Sequence, residues 1–145
     1  MSQVTVTSSR QGYQHKISTG KHSWVSDAPK EAGGEEAGPD PHELLLGALG
    51  ACTSMTMQMF AARRSWDIKH IDIKLTEESV DDPVTPGKKL CFINREIKVE
   101  GNLTQDQLDT LKSIADKCPV HKILVGPKEI NTQLTVAQAP SASHT

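Results

Sequence analysis

The sequence predicts an α+β domain, on three observations. Short alternating segments open the chain, a long proline-free apolar helix follows, and a pair of long alternating segments joined by a turn comes next. Strands grouped with strands and segregated from helices build hairpins and meanders, not a parallel doubly wound sheet. A length of 145 residues allows one domain, read as residues 1–136, with a core of modest size.

Residues 3–8 alternate, with Val4 and Val6 on one face and Thr5 and Thr7 on the other, which is a strand. Ser9-Arg10-Gln11-Gly12 is a tight turn. Residues 13–19 and 22–26 form two further short strands about Gly20, completing a meander. The segment 29–40, PKEAGGEEAGPD, is a loop by its glycines, prolines and acids. Residues 41–64 then form a helix. Asp40 is its N-cap and Pro41 stands in the first turn, where a missing N–H costs nothing. Apolar residues cover nearly every face as far as Phe60, which marks a buried helix. A rod of about 30 Å is hard for so small a domain to wrap, so a second subunit is expected to cover part of it.

Ile71, Ile73 and Leu75 alternate with charged residues in a strand over 68–78. Residues 81–88 are a loop, and 90–100 are a strand with Cys91, Ile93, Ile97 and Val99 on one face. Thr104 and Gln107 make a capping box. The helix that follows carries Leu108, Leu111, Ile114 and Ala115 on one stripe. Pro119 stops or restarts it, 120–125 add a turn or two, 129–136 form a last strand, and 137–145 are a disordered tail.

Composition excludes several functions. A net charge of -2 and a pI near 6.3 offer nothing to nucleic acid or an anionic membrane, and Arg63-Arg64 reads as a solvated helix end. An aromatic content of 3% argues against base-stacking platforms. The N-terminus has no signal-peptide core and no apolar run is read as reaching spanning length, so a cytoplasmic protein is expected. Three scattered cysteines make a poor disulfide framework and suit a reducing compartment.

Those cysteines are the candidate chemistry. Cys52 lies midway along the apolar helix, where an unpaired cysteine commonly packs as a small hydrophobe. Burial disfavours its thiolate, and the helix dipole has faded three turns from the N-terminus, so reactivity needs a cation from elsewhere. Cys118 precedes Pro119 and can open a helix whose N–H groups favour an anion; alternatively it packs at a helix end. Cys118-Pro-Val-His121 resembles half a metal site, but no second pair stands at matching spacing, and no metal or cofactor is expected. Cys91 reads as packing within a strand. Met55, Met57 and Met59 read as core or as an adaptable apolar wall.

The segment PHELLLGALGAC, from Pro41 to Cys52, and the later KCPV, from Lys117 to Val120, together resemble the OsmC/Ohr family of osmotically induced and organic-hydroperoxide-resistance proteins. The likeness runs from the first strand to Leu134. It implies a fold of three strands, helix, two strands, helix and strand, in an intertwined homodimer with active sites at the interface. It also implies a cysteine-based peroxidase. The cysteine matching Cys52 attacks an organic hydroperoxide and becomes a sulfenic acid, the one matching Cys118 closes a disulfide, and an external thiol or dithiol resets the pair. The turn carrying Arg10 resembles the family's Thr-Gly-Gly-Arg-Asp-Gly, which makes Arg10 the cation for Cys52.

One position departs from the family. Its site glutamate directly follows the proline, where this chain has His42, and Glu43 comes one residue and about 100° later. His42 takes the role, or Glu43 reaches Arg10 from a shifted helix start, or the clamp is absent. Glu43 also fits as an acid of the first helical turn. The segment from Gly20 to Pro29, with the one that leads to Cys52, looks closest to a less characterised OsmC-like branch. The rival to a peroxidase is therefore a dimer that senses redox state or binds a small ligand without turnover.

Overall fold

The N-terminal strands pair as the alternation predicts. In the structure, a computed structural model that describes residues 2–137, β1 (Thr5–Ser8), β2 (His15–Ser18) and β3 (Ser23–Ser26) form an antiparallel sheet in sequence order. Val6 stands opposite Ile17, which stands opposite Trp24. Ile17 alone of these apolar side chains is buried, while Val4, Val6 and Tyr13 are more than half exposed.

Asp27 organises the loop that follows. Its carboxylate accepts the backbone N–H groups of Ala28, Glu35 and Ala37. Led by the Ala37 bond, these hold its acid below the usual carboxylate range despite burial. The loop contains a 3-10 turn, Lys30–Ala32.

Helix α1 is Pro41–Arg63, begun as its sequence dictates. Asp40 accepts the Glu43 N–H at 2.8 Å and Glu43 accepts the Asp40 N–H at 2.9 Å, a complete capping box. One expectation about this helix is corrected. By length and composition it does qualify as a membrane-spanning segment; it is nonetheless a core helix, because Gly50, Thr53, Met57 and Ala61 bury a stripe against the rest of the chain. As expected of so long a rod in a small domain, it is not buried all round within one chain. Gly47, Ala48, Ala51, Met55 and Met59 lie on an exposed face, since a single hairpin and two short helices cover only part of a cylinder. The three methionines divide accordingly: two residues turn a helix about 200°, so Met57 is buried while Met55 and Met59 point outward.

Strands β4 (Asp67–Asp81) and β5 (Lys89–Asn102) form a second antiparallel sheet, with a bulge at Lys69 between the Ile68 and His70 pairings. Ile71, Ile73, Leu75 and Glu77 of β4 and Ile93, Arg95, Ile97 and Val99 of β5 turn inward. Cys91 shares that parity but is exposed, because the hairpin outruns the helices there. Helix α1 crosses β4 closely at Gly50, where a Cβ would come within 2.7 Å of Leu75 Cδ1.

Helix α2 (Gln105–Ala115) starts from the Thr104/Gln107 capping box, and Leu111, Ile114 and Ala115 face inward. Met57, Leu111 and Ala115 centre a core ringed by Phe60, Trp66, Ile68, Ile71, Ile97 and Val99. Arg64 is more than a solvated helix end: its guanidinium lies 4.0 Å from the Phe60 ring centroid. Helix α3 (Pro119–Val125) ends the regular structure. The strand expected over 129–136 is not formed. Those residues are irregular, paired with neither sheet, and Ile130, Leu134 and Val136 are exposed. Of the predicted tail, residues 138–145 lie outside the described residues.

Candidate active site at the Cys52 and Cys118 thiols

Cys118 is the N-cap of α3, with Pro119 in the first turn. Its sulfur accepts the His121 N–H at 3.3 Å, as the Cys-Pro pair predicts. Helix α3 packs on α1, and this docking sets Cys118 beside Cys52, near enough for each thiol to shift the acidity of the other. Cys118 is wholly buried and Cys52 half-buried.

The two thiols are unequal. Burial, with the neighbouring Cys118 thiol, pushes the Cys52 thiol up. Burial also works against an anion on Cys118. The neighbouring Cys52 thiol and the His121 N–H, which donates to the Cys118 sulfur, outweigh it and hold its pKa below the ordinary cysteine value. Of the two thiols, Cys118 is the more readily ionised.

Arg95 and Thr53 belong to this cluster and were not singled out in the sequence. Arg95 projects from the inward face of β5. Its Nη1 donates to Thr53 Oγ1 at 2.9 Å and to the Ala115 carbonyl at 3.5 Å, and its Nη2 donates to Asp116 Oδ1 at 2.8 Å. The available signal was an arginine at an inward position between Ile93 and Ile97, since a buried charge demands partners.

Arg10, His42 and Glu43 are not gathered at the thiols by the single chain. The turn carrying Arg10 abuts the 27–37 loop, and Arg10 makes no side-chain hydrogen bond or ion pair among the described residues. His42 Nδ1 lies 2.9 Å from Glu77 Oε1; that hydrogen bond, with the glutamate's charge, raises the imidazole's pKa. Glu43 is occupied by the capping box. Cys52 lies ten residues beyond His42 on the same helix, about 15 Å along its axis.

An open cleft of about 650 Å³ lies between α1, β5 and α3, walled by Leu45, Leu49, Ile93 and Leu124 with Arg95, His121 and Cys91. No cluster of three or more metal-ligating side chains occurs among the described residues.

The family model for OsmC-like proteins matches residues 33–133. The chain belongs to the OsmC-like family. Solved structures agree on the fold. An OsmC-like protein of Mycoplasma pneumoniae superposes with a TM-score of 0.72 at 19% identity, covering 87% of this chain and 88% of that one. An organic hydroperoxide resistance protein OsmC of Legionella pneumophila gives 0.65 at 18% identity, with 87% and 90% covered. The organic hydroperoxide resistance protein OhrB of Bacillus subtilis gives 0.61 at 19%, with 87% and 91% covered. No curated protein matches the sequence.

Proposed function

We propose that this OsmC-like protein is a cysteine-based peroxidase of organic hydroperoxides that works as a homodimer in a reducing, cytoplasmic compartment. The observation that carries the reading is the pair of neighbouring thiols of unequal acidity where α3 packs on α1. Cys52, the more accessible sulfur, attacks a peroxide oxygen. The O–O bond breaks, Cys52 becomes a sulfenic acid, and its proton passes through Cys118 to the departing alkoxide, which leaves as the alcohol. The Cys118 thiolate then attacks the Cys52 sulfur, an S–S bond forms, and hydroxide leaves to become water. Two electrons from an external thiol or dithiol restore the pair. The cleft beside Leu49 and Leu124 suits an alkyl substituent.

Area supports the dimer. The chain exposes 11,668 Å², against about 7,300 Å² for a compact monomer of this mass. The nine undescribed residues account for at most about 1,400 Å² of the excess. The open stripe Gly47, Ala48, Ala51 and Met55 on α1, with the uncovered Val6, Ile130 and Leu134, is the surface a second copy covers. With α1 packed antiparallel on its copy and crossing it at Gly47, the first turn of one helix would lie beside the cysteine of the other. In that arrangement Arg10, with His42 or Glu43, comes to a thiol pair from the opposite protomer.

The His42–Glu77 pair favours a second reading, a redox-sensing or ligand-binding dimer, because a histidine held by Glu77 is not free to orient an arginine. One assay separates the two. With tert-butyl hydroperoxide and dithiothreitol, a peroxidase consumes many equivalents of peroxide; Cys52→Ser abolishes this, and Cys118→Ser reacts once and stalls as a sulfenic or sulfinic acid. Oxidation that stops at one equivalent while reductant is in excess supports the sensor and overturns the enzyme.

A further inference from the structure

A half-buried thiol such as Cys52 needs a cation to ionise, and the structure prepares one in the first turn of α1. His42 Nδ1 lies 2.9 and 3.0 Å from the two oxygens of Glu77 on β4. An ionised carboxylate only accepts, so Nδ1 carries a hydrogen and the ring keeps its other nitrogen, Nε2, unengaged by Glu77. The hydrogen bond to Glu77, the glutamate's charge and that of Asp40 hold the ring protonated to higher pH than an ordinary histidine. The side chain of His42 is 73% exposed and that of Glu77 24%, so the pair is anchored on the glutamate side and open on the other. Glu43, the remaining acid of this turn, is turned back to the Asp40 N–H.

We propose that His42, positioned by Glu77, is the cation that faces the Cys52 thiolate of a second copy. The inference rests on the dimer of the proposed function. There the helices cross at Gly47, beside whose Cβ position the chain leaves open space, and Ala48 and Ala51 are small, so two helices can approach closely. Gly47 is the midpoint between His42 and Cys52, so an antiparallel crossing sets each His42 level with the Cys52 of the other copy. Rotation about the helix separates the two candidates of the first turn. From the exposed stripe, Cys52 and then His42 follow in one direction round the helix, and Glu43 lies in the other. A two-fold axis perpendicular to the helices keeps each flank on its own side, so Cys52 meets His42 and not Glu43. When Cys118 takes the Cys52 proton, the imidazolium stands beside the thiolate left behind and keeps its own proton. The charged groups placed at His42 among the described residues are Glu77 on β4 and Asp40 at the N-cap, and Cys52 of the second copy joins them in the dimer. A histidine held by Glu77 does not orient an arginine; it serves as the cation itself.

The test follows iodoacetamide alkylation against pH in a parent carrying Cys91→Ser and Cys118→Ser, where Cys52 is the remaining thiol. His42→Gln slows alkylation about tenfold at pH 6, one pKa unit of lost thiolate, and leaves the rate at pH 10 close to the parent's, because the imidazole is neutral there. Glu77→Gln follows the parent at pH 6 and falls toward His42→Gln at pH 7.5, because its histidine loses the proton earlier. Mixed dimers read the crossing of the interface. A His42→Gln chain is co-expressed with a Cys52→Ser chain under separate tags, and the mixed dimer is purified through both. Its single Cys52 faces the His42 of the other chain, so alkylation at pH 6 returns to the parent rate. The inference is overturned if either His42→Gln or Glu77→Gln follows the parent at every pH. It is overturned equally if the mixed dimer stays as slow as His42→Gln, which would confine the histidine's effect to its own chain, or if the parent is a monomer at the assay concentration. Turnover of tert-butyl hydroperoxide with dithiothreitol is measured separately on the chain with all its cysteines. These shifts without turnover keep the inference and lose the peroxidase reading; turnover without the shifts does the reverse.

Discussion

The two sheets of this protein are built by the same period-two alternation and end in different states. The β4–β5 hairpin lays its inward side chains on α1 and α2 and closes a core around Met57 and Leu111. The N-terminal meander buries Ile17 against the start of α1 and leaves Val4, Val6 and Tyr13 open. One half is completed by its own chain; the other carries an apolar face without a matching surface. The difference teaches where the proposed second copy would dock, since single exposed apolar residues are ordinary but a connected set is the mark of an interface.

The largest test of that contrast is to charge the open stripe. Ala51→Glu places a carboxylate on the exposed face of α1, where it leaves a lone chain folded but has no partner in an apolar interface. Sedimentation should show a dimer for wild type at low micromolar concentration and a monomer for the variant. A stable wild-type monomer at that concentration breaks the comparison.

Next come paired truncations. Leu111→Ala in the closed half should cost about 2–5 kcal/mol in urea unfolding, as lost burial plus a cavity. Val6→Ala should cost within about 0.5 kcal/mol in dissociated protein, and more as concentration rises and the face is covered. An equal cost at every concentration would show that the meander is also closed by its own chain.

The smallest effect sharpens the junction between the halves. The His42–Glu77 pair ties the first turn of α1 to β4. Because the histidine's folded pKa is raised above 6.5, its contribution is complete below 6.5 and is lost as pH rises through the raised value. The urea midpoint should therefore decline on the alkaline side of 6.5, and Glu77→Gln should flatten that decline. A wild-type midpoint that is level there removes the tie.

Much of this was legible in the sequence because it is local. The Asp40 and Thr104 boxes each close within three residues, and Cys118-Pro119 specifies a helix start whose N–H groups meet sulfur. The cysteine motifs pointed to two thiols that the structure does bring into contact. Arg95 was hidden for the opposite reason: on an alternating strand it reads as a solvated charge unless the docking of β5 on α1 is known. Arg10 attracted notice as the cation of a recognisable turn, yet the chain alone leaves it at the loop end of the molecule.

By itself, then, the sequence determined the element order, both capping boxes, the N-terminal meander and the two cysteines, all of which follow from periodicity and from hydrogen bonds between near neighbours. Only the tertiary structure decided that Arg95 meets Thr53 across 42 residues, that Cys118 lies beside Cys52 and is the more acidic of the two, that α1 is covered on one side, and that 129–136 stay unpaired. These depend on which faces dock and which edges stand free, and a side chain acquires a partner, or a strand an edge, only when distant segments have been placed together.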